Sequence, residues 1–115
     1  MLPALTEFDY HQRLATTPGL ALVLFASPDC GACRVAERLL AEALAGRITC
    51  YKVDVQQATA LARAFDLFHL PALFLYRDGR FHAVLDTELT PAGLRAALDA
   101  ALAAPPRRNR ERPAP

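Results

Sequence analysis

Leu20-Ala21-Leu22-Val23-Leu24-Phe25-Ala26-Ser27-Pro28-Asp29-Cys30-Gly31-Ala32-Cys33 is an apolar run, a turn, and two cysteines three residues apart. The run is too uniformly apolar for a sheet with one wet face, so it reads as a central strand covered on both sides. Residues 34–44 continue as a helical pattern. A strand therefore delivers two cysteines to the start of a helix. At i and i+3 they share one face of its first turn, close enough for a small disulfide ring if their geometry suits. That arrangement points to redox chemistry.

Working outward, residues 6–14 read as a first helix, with Thr6 as its cap, Glu7 and Asp9 in its first turn, and Thr17-Pro18-Gly19 after its end. The cysteine helix should end near Gly46, which suits a left-handed turn. Residues 48–55 read as a second strand, parallel to the first across the crossover helix. A short helix over 57–65 and a loop over 66–70 lead to Pro71 and a strand over 72–76. Asp78-Gly79 then predicts a hairpin to an antiparallel strand over 81–85. Thr90-Pro91 caps a last helix running to about Ala103, whose Leu94, Leu98 and Leu102 form one apolar face. His11 and His82 have no partner pattern and are expected at the surface.

The composition fits one α/β domain: 115 residues, 53% hydrophobic, formal net charge +1. We place the domain at residues 1–104 and expect a disordered, proline- and arginine-rich tail over 105–115. Arg107, Arg108, Arg110 and Arg112 against Glu111 leave about +3 in that tail and about −2 elsewhere. Near-neutral charge gives no reason to expect nucleic acid or an anionic membrane as partner. The longest apolar run is far shorter than the roughly 20 residues a membrane-spanning helix needs. Acidic Glu7 and Asp9 stand where an export signal would be basic, so the expected location is cytoplasmic. Three cysteines do not make a secreted disulfide scaffold.

The order helix, strand, helix, strand, helix, antiparallel hairpin, helix, with Cys-x-x-Cys after the first strand and Leu70-Pro71 before the hairpin, resembles the thioredoxin family over roughly residues 5–103. The resemblance implies a mixed sheet of about four strands flanked by helices. It makes Cys30 the attacking cysteine, Cys33 the buried resolving one, and Leu70-Pro71 a cis peptide facing the pair. Asp29, Gly31, Ala32, His69, Leu70 and Pro71 become the expected substrate surface. The usual family motif is Trp-Cys-Gly-Pro-Cys, so Asp29 and Ala32 depart from it. Leu24 stands where the family places a buried aspartate, whereas Lys52 matches that aspartate's lysine neighbour.

The expected reaction is dithiol-disulfide exchange on protein disulfides, with no bound cofactor beyond the Cys30-Cys33 pair itself. The first helical turn lowers the Cys30 pKa and Asp29 opposes it, which predicts a value nearer thioredoxin's roughly 7 than the roughly 3.5 of a strong oxidant, hence a reductase. A monomer is expected, recharged by a donor similar to the family's flavin- and NADPH-dependent reductase. Lys52 has two readings: its ammonium extends to solvent, or it approaches Cys33 and favours that thiolate. His69 is an exposed loop residue, or else a substrate-surface or proton-transfer residue. Cys50 is expected in the core. A zinc site would need two ligands besides the pair, and Cys50 and His69 are the candidates on paper, so no metal is expected. The alternative to an enzyme is a binding or folding-assistance module with little turnover.

Overall fold

A computed structural model describes residues 2–44 and 46–107. It contains α1 (Tyr10–Ala15), β1 (Leu20–Ala26), α2 (Gly31–Ala43), β2 (Thr49–Asp54), α3 (Thr59–Ala64), β3 (Ala72–Arg77), β4 (Arg80–Leu85) and α4 (Pro91–Ala103). The four strands form one mixed sheet in the order β2-β1-β3-β4. β1 runs parallel to β2 and antiparallel to β3, and β3 runs antiparallel to β4. This is the α/β architecture expected of a thioredoxin fold.

The unbroken apolar run in β1 follows from its burial on both faces. Ala21, Val23 and Phe25 join a cluster with Tyr10 and Leu14 of α1, Leu61 of α3 and the adjoining Phe65. Leu22 and Leu24 turn the other way, onto Ala36 and Leu40 of α2 and Leu94 and Leu98 of α4. Successive side chains point to opposite faces, so only a strand sandwiched between helix layers is apolar at every position.

Local chemistry sets most element ends. Gly46 has φ +78° just past α2, and Asp78 and Gly79 both have positive φ (51° and 82°), as a two-residue hairpin turn requires. A Cβ on Gly79 would lie 2.7 Å from the Ala15 carbonyl oxygen, so glycine is also needed for close approach. Thr90 caps α4, its hydroxyl accepting the Gly93 N–H at 3.0 Å.

Two details differ from expectation, and a third was not anticipated. α1 begins at Tyr10 instead of near Thr6. Thr6 and Asp9 close a turn ahead of it: the Thr6 hydroxyl accepts the Asp9 N–H at 3.2 Å and the Asp9 carboxylate accepts the Thr6 N–H at 2.7 Å. That backbone donor is the main reason the Asp9 carboxyl is held below its ordinary value. Glu7 instead reaches the start of α3, accepting the Ala60 N–H. His82 is buried, with its Nε2 2.7 Å from the Ala101 carbonyl oxygen. The β3–β4 register passes from Leu75↔Ala83 to Tyr76↔Phe81, so His82 lies at a bulge that alternation along β4 does not reveal. Third, residues 3–5 extend the sheet beyond β2: Lys52 N–H donates to the Pro3 carbonyl at 2.9 Å and Leu5 N–H to the Lys52 carbonyl at 2.8 Å. At the other end, Arg107 N–H donates to the His82 carbonyl. The remainder of the tail, 108–115, lies outside the described residues.

Candidate active site

Register brings three chain segments to one end of the sheet. Ala26, the last residue of β1, pairs with Asp54 at the end of β2, and Phe25 pairs with Ala72 at the start of β3. Pro71 therefore stands beside the turn that leaves β1 for the cysteines. The Leu70-Pro71 peptide is cis. In that turn Cys30 N–H donates to the Ser27 carbonyl at 3.2 Å, and the Arg34 guanidinium donates to the Pro28 carbonyl at 2.9 Å.

Cys30 is the N-cap of α2, and Cys33 sits in its first turn. The two form a disulfide with Cα atoms 5.2 Å apart, within the range a disulfide spans. Cys30 is half-buried and reachable, whereas Cys33 is 2% exposed. The Cys33 N–H donates to the Cys30 Sγ at 3.1 Å. That donor, with the other unpaired amides of the first turn, gives Cys30 sulfur a site that favours negative charge once the bond is reduced. Gly31 and Ala32 lie exposed between the two cysteines.

Asp29 is exposed, and its carboxylate accepts the Gln56 side-chain amide at 3.2 Å. His69 is exposed and Leu70 half-buried in the loop before Pro71; the neighbouring Phe68 is 81% exposed. Leu24 is fully buried in the leucine layer against α2. Lys52 follows neither sequence reading in its simple form. Its ammonium donates to Glu37 Oε2 at 3.1 Å, and both residues line a cleft of about 370 Å³ that Cys33 also lines. Sequence reasoning passed over Glu37, although its place four residues after Cys33 on one helix face was a usable signal. It also passed over Gln56, which only the fold brings to Asp29. Among the described residues no group of three His, Cys, Asp or Glu side chains gathers to hold a metal ion.

Cys50 is buried in the leucine layer, and this burial pushes its thiol up from 9.0 to about 11. The folded state therefore holds this proton more tightly than the unfolded one. Its contribution to stability is complete below about pH 9 and is lost as the pH rises through about 11. In the oxidised protein, urea midpoints should fall more steeply with pH across this window than those of Cys50→Ala; parallel curves would show that Cys50 does not titrate there.

A family model described as Thioredoxin matches residues 2–100. The chain is 33% identical over 87 residues to the chloroplastic thioredoxin M3 of Oryza sativa subsp. japonica, covering 72% of this chain and 50% of that one. It is 33% identical over 93 residues to protein disulfide-isomerase A3 of Gallus gallus, covering 78% of this chain and 18% of that one. With the thioredoxin of Chlamydia trachomatis it shares 29% identity over 83 residues, covering 70% and 78%. The chain thus spans half or less of the length of the rice and chicken relatives. A cysteine pair at the head of α2, a cis-proline beside it, and a family model matched along nearly the whole domain agree: this chain belongs to the thioredoxin family.

Proposed function

We propose that this protein is a thiol-disulfide oxidoreductase that reduces protein disulfides through Cys30 and Cys33. The observation that carries the reading is the unequal exposure of one bonded pair: Cys30 is accessible at a helix start, and Cys33 is buried behind it. Starting from the dithiol, Cys30 thiolate attacks a substrate disulfide, forming a mixed disulfide and releasing one substrate thiolate. Cys33 then attacks the Cys30 sulfur, the intramolecular disulfide forms, and the second substrate sulfur leaves with the electron pair. The helix start assists the first step because its amide donors stabilise the sulfur that must be a thiolate. Asp29, Gly31 and Ala32 flank the cysteines in sequence, and with His69, Leu70 and Pro71 of the loop before β3 they are the surface we assign to a substrate peptide.

The cycle needs an external dithiol or reductase to return Cys30-Cys33 to the reduced state, and a thioredoxin-reductase-like protein suits that role. Unpaired Cys50 suits a reducing compartment such as the cytoplasm, and the reading takes the protein to act there as a monomer. Cys33→Ser tests the reading directly, because it removes the resolving sulfur and leaves the attacker. The variant should retain disulfide-containing proteins covalently on Cys30, released by dithiothreitol and absent from the Cys30→Ser/Cys33→Ser double variant. Partners retained equally by the double variant would instead mark a binding module without exchange chemistry.

A further inference from the structure

We propose that Glu37 accepts the proton of Cys33 when Cys33 resolves the mixed disulfide, with Lys52 balancing the charge. The inference rests on the exchange reaction proposed above. Cys33 is buried, so its proton needs a route out before its sulfur can attack. The cleft of about 370 Å³ lined by Cys33 supplies one, and it is large enough to hold several waters. Arg34, Glu37, Lys52 and Asp54 are the charged groups lining it.

Three observations single out Glu37 among them. It follows Cys33 by one helical turn, so the two side chains lie on the same face of α2. Its side chain is only 20% exposed. Both of its recorded contacts, Lys52 Nζ at 3.1 Å and Leu2 N–H at 3.4 Å, fall on Oε2, and among the described residues Oε1 has no hydrogen-bond partner. Oε1 is therefore the oxygen able to take a proton. Asp54, the other carboxylate, ends β2 and so lies off the helix face that carries Cys33, and its Oδ1 takes the Gln56 N–H at 2.9 Å. Arg34 is held on the Pro28 carbonyl.

Lys52 offsets the single negative charge that Glu37 and Cys33 share in the cleft, both before and after the transfer. Before it, the ammonium faces a carboxylate beside a neutral thiol. Afterwards the same ammonium faces a neutral acid beside a thiolate. One proton moves from Cys33 Sγ through water to Glu37 Oε1. The Cys33 Sγ–Cys30 Sγ bond then forms, the bond from Cys30 Sγ to the substrate sulfur breaks with its electron pair on the substrate, and Glu37 returns its proton to water. The two cysteines are oxidised and the substrate disulfide is reduced. Glu37 thus serves resolution and leaves the first attack by Cys30 untouched.

Stopped-flow reaction of the reduced full-length protein with Ellman's reagent separates these steps, since one thionitrobenzoate is released by Cys30 attack and a second by Cys33 resolution. Glu37→Gln should leave the first phase unchanged and slow the second about a hundredfold at pH 7, the low end of what a positioned general base contributes. The slowed phase should rise about tenfold per pH unit and approach the wild-type rate in alkali, as hydroxide replaces the missing base. Glu37→Asp should recover part of the rate, and Asp54→Asn should leave it intact. A second phase in Glu37→Gln with the wild-type rate and pH profile overturns the inference alone. So does equal slowing of both phases, which is what a merely structural role would produce. Absence of the first phase in the wild type overturns the exchange reaction itself and this inference with it.

Discussion

Serine at position 30 should reduce insulin-disulfide reduction to the uncatalysed rate while changing the stability of the reduced protein by no more than about 1 kcal/mol. The chemistry fails because a serine hydroxyl does not ionise near neutral pH, and the thiolate is the nucleophile in exchange. The fold survives because Cys30 is the N-cap of α2, its sulfur accepting the Cys33 N–H at 3.1 Å. Serine is among the preferred residues at that position and takes over the same hydrogen bond. Turnover by insulin turbidity and stability by urea denaturation in dithiothreitol read the two halves separately. Retained turnover would reject Cys30 as the attacking group. Lost turnover together with a collapsed midpoint would mean that the cap, and not the sulfur chemistry, had been removed.

Phe25→Ala should cost about 3–5 kcal/mol, a large share of the roughly 5–15 kcal/mol that separates folded from unfolded domains. Phe25 is fully buried, and its ring centroid lies 4.8 Å from that of Phe74, 5.8 Å from Phe65 and 6.0 Å from Tyr10. Alanine leaves a cavity that β1, paired on both edges, cannot close by moving. The consequence reaches the active site, because Phe25 pairs with Ala72 next to Pro71 and precedes the turn to Cys30 by one strand residue. Activity should therefore fall in step with the folded fraction on warming. A urea-derived loss below about 1 kcal/mol would show that the ring cluster relaxes around the gap.

Much of the fold is legible because it depends on near neighbours in the chain. The run through β1 announced a strand buried on both faces, Asp78-Gly79 announced its hairpin, and Thr90-Pro91 placed the start of α4 at the residue observed. Each signal is a local preference that packing happens to reinforce. The start of α1 misled for the same reason. Thr6 and Asp9 make a reciprocal pair that resembles a helix cap in sequence and closes a turn in space. His82 misled because a bulge changes which face a strand residue occupies, and alternation along β4 carries no trace of it.

The candidate site divides in the same way. Spacing alone put Cys30 and Cys33 on one helical turn, since three residues along an α-helix return a side chain to nearly the same face. Sequence thereby determined that this protein has a cysteine pair poised at a helix start, and the family it resembles. The resemblance also implied that Cys33 is the shielded cysteine and Leu70-Pro71 a cis peptide, as observed, but only the tertiary structure decided that Lys52 on β2 meets Glu37 on α2 across a cleft. The physical reason is that burial and ion pairing between separate elements depend on how strands register and helices dock. Glu37 and Lys52 stand fifteen positions apart in the chain, and no local preference states that they meet.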